Sequence, residues 1–201
     1  MKYYYLFKPC IGKAAGRQVL TELLHKNTEN FIYYDNIETW FELGTFSLPG
    51  IKEIDAILDL QTSPNIKLIA FLVSPYKRFF YYYLSSLNIK TIQDFDNFKD
   101  SLTVESFVDF WKNRETLSQA HTVNLADLYE DCNGIKIDYA LDFDTIVQDL
   151  VKIPGLEQTP VDLFDPYQQM LAHYKTVYND EIKEWVEKTY AKDIQVYGHT
   201  F

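Results

Sequence analysis

Lys13 stands in the run Gly12-Lys13-Ala14-Ala15-Gly16, one cation among small residues. Small side chains let an anion approach the backbone, and a lysine adds a mobile positive charge. The flanking residues give this run a setting. Tyr3 to Phe7 is an apolar, aromatic stretch of strand length, and Arg17, Val19, Leu20, Leu23 and Leu24 recur as on one face of a helix. A strand that turns through small residues into a helix presents unpaired N–H groups and the positive end of the helix dipole, a geometry that holds phosphate or sulfate. An ordinary strand–helix turn fits the same residues, because the pattern G-x-x-x-x-G-K-[ST] is not present.

Two other groups of polar residues follow apolar runs in the same way. Asp35, Glu38 and Glu42 come at or beyond the end of Phe31–Tyr34, which reads as a second strand. Ser74-Pro75-Tyr76-Lys77-Arg78 follows IKLIAFLV, residues 66–73, the most continuous apolar run in the chain and a predicted central buried strand. Proline after Ser74 suits the first position of a helix, here the aromatic segment YKRFFYYYLSSL.

The elements that must position these groups alternate between strand and helix. A helix is expected over residues 51–60, with Ile51, Ile54, Ile57 and Leu58 on one face, ended by Ser63-Pro64-Asn65. Two helical segments are expected within residues 91–113, with Thr91 and Thr103 as N-caps and Ser106 in place of glutamate at the capping-box position of the second. Residues 114–134 give little signal. Ile135–Phe143 alternates as a strand, residues 144–153 read as a short helix stopped by Pro154-Gly155, Pro160 and Pro166 mark a loop, and a last helix is expected over about 178–192. This order predicts an α/β fold, a single domain over residues 1–201 with a central, mainly parallel sheet flanked by helices. In such sheets ligands bind beyond the carboxyl ends of the strands, where all three polar groups are expected.

Composition limits the function classes. The chain has 201 residues, 47% of them hydrophobic, enough for a proper core. Residues 1–100 carry 11 Lys and Arg against 11 Asp and Glu, and residues 101–201 carry 8 against 18, so the formal charge of −10 belongs to the second half. That acidity argues against nucleic acid as a partner. No stretch reaches 18 uninterrupted apolar residues and the N-terminus does not resemble a signal peptide, so the expected setting is cytoplasmic, without a membrane span. Cys10 and Cys132 are read as two free thiols, and the histidines show no metal-ligand spacing, so no metal is expected.

Four ordered segments resemble the sulfotransferases that use 3′-phosphoadenosine 5′-phosphosulfate, of the carbohydrate-sulfotransferase type. GKAAGRQVLTELL is similar to the family's 5′-phosphosulfate loop, and FLVSPYKRFFYYYLS to its 3′-phosphate segment. IDYALDFDTIVQDL resembles a later strand and helix, with Phe143-Asp144 where the family usually has Phe-Glu. The closing stretch from His173 to Phe201 resembles its C-terminal helix and final Asp-x-x-x-(Phe/Tyr)-Gly.

The resemblance implies a P-loop-like sulfotransferase architecture and transfer of a sulfonyl group from that donor to a hydroxyl of a carbohydrate or similar acceptor. Lys13 takes the position of the catalytic lysine, with Lys8, on the strand side of Pro9, as the competing candidate. Gly12, Ala14, Ala15, Gly16, Arg17 and Gln18 would form the cradle around the donor's 5′ end. Val73 stands where the family has its 3′-phosphate arginine and Tyr81 where it has a serine, and Ser74, Lys77 and Arg78 are what this chain offers in their stead. Arg78 also matches a structural arginine of the family. The acceptor's proton needs a base, for which the resemblance implies Glu38 or Asp35, with Glu42 and His121 as further acceptor-side candidates. Two other readings stay open: a sulfotransferase-like binding or assembly protein that no longer transfers, and a P-loop nucleotide-binding protein lacking the Ser or Thr that holds Mg²⁺.

Overall fold

The computed structural model describes residues 3–7, 23, 31–32, 66–116, 124–126 and 138–201. The helix expected over 51–60 and the beginning of the strand expected from Ile135 lie outside them. Among the described residues, four strands form one sheet in the order β2-β1-β3-β4: β1 Tyr3–Phe7, β2 Phe31–Ile32, β3 Ile66–Leu72 and β4 Tyr139–Asp142. Every pairing is parallel, with Tyr5 opposite Ile32, Phe7 opposite Ala70, and Leu72 opposite Asp142. The α/β reading and its parallel sheet therefore hold. The chain steps from β1 outward to β2, then returns across β1 to β3, so the strand order reverses between β1 and β3. That boundary is the switch point where open α/β sheets leave a crevice at their carboxyl edge.

β3 is central, and Ile69, Phe71 and Leu72 are buried. Val73 and Ser74 lead from it into α1, Pro75–Ser86, with proline at the first helical position as expected. Nine residues of α1 are buried, among them Phe79, Phe80, Tyr83 and Leu84, because the helix is covered on several sides. It packs against α5 (Asp165–Ala172), α6 (Tyr174–Val177) and α7 (Asp180–Thr189). Phe79 meets Trp185 of α7 with ring centroids 4.8 Å apart and Phe107 at 5.6 Å. Burying each such ring contributes roughly 1.5–3 kcal/mol. The tyrosine hydroxyls in this core keep partners: Tyr178 donates to the Tyr76 carbonyl at 2.8 Å, and Tyr83 pairs with Ser106 at 2.5 Å.

Both expected N-caps are present. The Thr91 hydroxyl accepts from the Asp94 N–H at 3.1 Å, and Asp94 accepts from the Thr91 N–H at 3.0 Å, opening α2, Ile92–Phe98. Thr103 and Ser106 close the same reciprocal pair ahead of α3, Val104–Lys112, so a serine hydroxyl performs glutamate's task. After β4 comes α4, Ile146–Leu150, shorter than the expected 144–153.

Two expectations are corrected. The loop marked by Pro160 and Pro166 is instead a short 3₁₀ turn, Val161–Leu163, followed by α5 and α6; Pro166 lies in the first turn of α5, where its missing N–H costs nothing. The single helix over 178–192 is two, α7 and then α8, Ala191–Tyr197. The break falls at Tyr190 (φ −113°, ψ 31°), whose buried ring lies 4.7 Å beneath the Arg78 guanidinium. Gly198 ends α8 in the left-handed conformation, φ 69°. Among the described residues, no helix is long and apolar enough to cross a membrane.

Candidate functional site

The carboxyl ends of β3 and β4 lie side by side, since the Phe143 N–H donates to the Leu72 carbonyl at 2.9 Å. Ser74 and Lys77 therefore share one edge of the sheet with Asp142 and Asp144. Lys77, in the first turn of α1, forms an ion pair with Asp144. Ser74 is the N-cap residue of α1, yet its side chain makes no capping bond. Its hydroxyl is buried and has no hydrogen-bond partner among the described residues.

The turn after β4 is fixed from within. Asp149 of α4, 7% exposed, accepts from the Asp142 N–H at 3.0 Å, the Thr145 hydroxyl at 2.9 Å and the Lys152 ammonium at 2.5 Å. Asp142 in turn accepts from the Asp144 N–H at 2.8 Å, a local Asx turn. Opposite Asp142 stands His199, which Gly198 brings round from the end of α8; its Nδ1 lies 3.6 Å from Asp142 Oδ2. Burial pushes the Asp142 carboxyl above its ordinary range, with Asp144 and Asp149 adding repulsion, while the Asp144 N–H and His199 oppose this. Burial pushes His199 below its ordinary value, assisted by Arg78 and opposed by Asp142, Asp144 and Asp193.

Arg78 turns the other way, into the protein. It is 2% exposed and its Nη2 lies 2.9 Å from Asp193 of α8, itself 1% exposed. Burial works against the guanidinium charge, but Tyr82, Tyr190 and Asp193 outweigh it and keep the cation. Asp193 also accepts from the Ala126 N–H at 2.8 Å, while its own N–H reaches Asn124 at 3.2 Å. Arg78 thus ties α1 to α8 and to residues 124–126. Tyr81 is 9% exposed and packs edge-on against Tyr82, and Val73 is 1% exposed.

Of the residues singled out from sequence, the structure thus brings Ser74 and Lys77 to the carboxyl edge and directs Arg78 and Tyr81 into the core. Gly12, Lys13, Ala14, Ala15, Gly16, Arg17, Gln18, Lys8, Asp35, Glu38, Glu42 and His121 lie outside the described residues. So do Cys10 and Cys132. What is described around the Lys13 loop is β1, which ends at Phe7 beside Ala70 of β3, and Leu23, which is helical and packs half-buried against the core. Sequence reasoning passed over Asp142 and His199. The signals were present: an aspartate at the last strand position, and a histidine directly after a helix-ending glycine. Among the described residues, no group of three or more His, Cys, Asp or Glu side chains is arranged to hold a metal ion.

Comparison with known protein families, with curated proteins and with solved structures finds nothing that matches this chain.

Proposed function

We propose that this protein is a sulfotransferase that moves the sulfonyl group of 3′-phosphoadenosine 5′-phosphosulfate to a hydroxyl of a carbohydrate or similar acceptor. The observation that carries this reading is the adjacency of β1 and β3 as parallel neighbours at the switch point of the sheet. The two segments that resemble the family's donor-binding loops come after these strands in the chain, Gly12–Gln18 beginning five residues past Phe7 and Ser74–Arg78 two residues past Leu72. The sheet is then the core of a P-loop-like sulfotransferase architecture. Lys13 acts as the cation on the leaving oxygen, and Ala14 to Gln18 cradle the donor's 5′ end. Because Arg78 is buried against Asp193, Ser74 and Lys77 are the groups at the carboxyl edge that would face the 3′ end, Lys77 by exchanging its ion pair with Asp144 for the phosphate. The same reading takes the protein as cytoplasmic and in need of no metal, with donor and acceptor as its small-molecule partners.

Titration calorimetry with adenosine 3′,5′-bisphosphate tests it. Micromolar binding that Lys13→Ala abolishes is the expected result, and absence of heat with the unaltered protein overturns the reading.

A second reading has its own observation. Val73 and Tyr81, at the two positions where the family contacts the 3′-phosphate, are both buried. A sulfotransferase-like protein that binds without transferring would have this core, and detectable sulfate transfer to any hydroxylated acceptor excludes it.

A further inference from the structure

Three carboxylates line the carboxyl edge at β4, and their surroundings separate them. Asp144 is held in an ion pair with Lys77. Asp149 is 7% exposed and its oxygens are taken by three donors. Asp142 is different: its side chain is 23% exposed, it accepts one N–H from Asp144, and its other oxygen faces the imidazole of His199 at 3.6 Å. That imidazole is itself 5% exposed, held behind the carboxylate by the turn at Gly198. A partly open carboxylate at a strand end, backed by a buried histidine, has the arrangement of a general base with its orienting partner.

We propose that Asp142 is the proton acceptor for the incoming hydroxyl and that His199 is its positioning residue. The proposal rests on the transfer reading above. In the step, the acceptor oxygen forms a bond to sulfur as its proton passes to an Asp142 oxygen. The bond from sulfur to the bridging oxygen breaks, and adenosine 3′,5′-bisphosphate leaves with that electron pair. Asp142 then returns its proton to water. Its raised proton affinity suits the task, since a base poised nearer neutrality takes a proton more readily than an ordinary carboxylate. The charged groups acting on the pair are Asp144 beyond β4, Asp149 of α4, Arg78 of α1 and Asp193 of α8.

The test is the pH profile of sulfate transfer at saturating donor, with calorimetric affinity for adenosine 3′,5′-bisphosphate measured alongside. Asp142→Asn is expected to slow transfer by about 100-fold or more while leaving that affinity unchanged. His199→Gln is expected to move the acid limb of the profile to higher pH, because the protonated imidazole, as a cation, holds the Asp142 proton affinity down; a purely structural role would lower the rate without moving the limb. An Asp142→Asn protein that transfers at the original rate, or an unmoved limb in His199→Gln, overturns the assignment. Failure of the unaltered chain to bind the bisphosphate overturns the transfer reading itself. Binding without transfer overturns the assignment of the base and favours the non-transferring reading.

Discussion

Arg78 and Asp193 are separated by 115 positions in the chain and meet at 2.9 Å with both side chains almost wholly removed from water. The cation also lies over the Tyr190 ring, at the break between α7 and α8. A buried pair of this kind is not a large net source of stability, but removing one member strands the other. Asp193→Ala is expected to cost about 3–5 kcal/mol in urea-monitored unfolding. Replacing both residues, as Arg78→Met with Asp193→Leu, is expected to recover most of that loss. If the single variant unfolds at the same urea concentration as the unaltered protein, the pair is not the tie described.

His173 gives the stability a dependence on pH. Its ring lies against Phe80 and Phe95, and its Nε2 is buried without a hydrogen-bond partner among the described residues. Burial first, then the nearby Lys99, lowers its pKa from the ordinary 6.5, and Asp100 opposes them weakly. With the folded-state value depressed, the unfolded chain binds the proton more readily. The contribution of His173 is therefore complete above pH 6.5 and is lost as pH falls below it. Unfolding midpoints measured between about pH 8 and pH 5 are expected to fall less in His173→Phe than in the unaltered protein, and identical slopes would count against this.

Val73→Arg is expected to lower the unfolding temperature of the free protein, because the position is 1% exposed and a lone cation would be buried there. On the sulfotransferase reading, adenosine 3′,5′-bisphosphate supplies the missing counter-charge. Thermal shift assays should then show a larger ligand-induced rise for the variant than for the unaltered protein.

Gly198 holds a left-handed conformation at φ 69°, and an added Cβ there would meet nothing within 4 Å. The cost of Gly198→Ala is therefore backbone strain alone, about 1–2 kcal/mol. Chemical denaturation checks the magnitude, and a cost above about 3 kcal/mol would mean a steric clash that the structure does not contain.

How far the sequence could be read depended on the range of the interactions. β3 was legible because its apolar run is the most continuous in the chain, with Ile69, Phe71 and Leu72 buried, and α1 because Ser74-Pro75 marks its start. The caps at Thr91 and Thr103 were legible for a similar reason, since each bond closes within three residues. The division between α7 and α8 was not, because Tyr190 leaves the helical conformation beneath a cation that comes from α1. Local spacing carries no trace of such a partner. α5 was missed because proline signals both a loop and a first helical turn, and the covering of Met170 and Leu171 decides between them. At the site, Ser74 and Lys77 followed from their place after a strand, whereas the pairing of Asp142 with His199 needed the fold, being a meeting of two distant segments.

The tie between Arg78 and Asp193 also says something about when the protein can become itself. During synthesis β3 and α1 leave the ribosome more than a hundred residues before the partner that neutralises their buried cation. Until α5, α6 and α7 emerge, the aromatic face of α1 lacks their cover, and until the chain has passed α8 the carboxyl edge lacks His199. Folding must therefore wait on long-range closure, which is slow and leaves apolar surface open in the meantime. The nascent first half is the stage at which the apolar rings of α1 lie most open to aggregation.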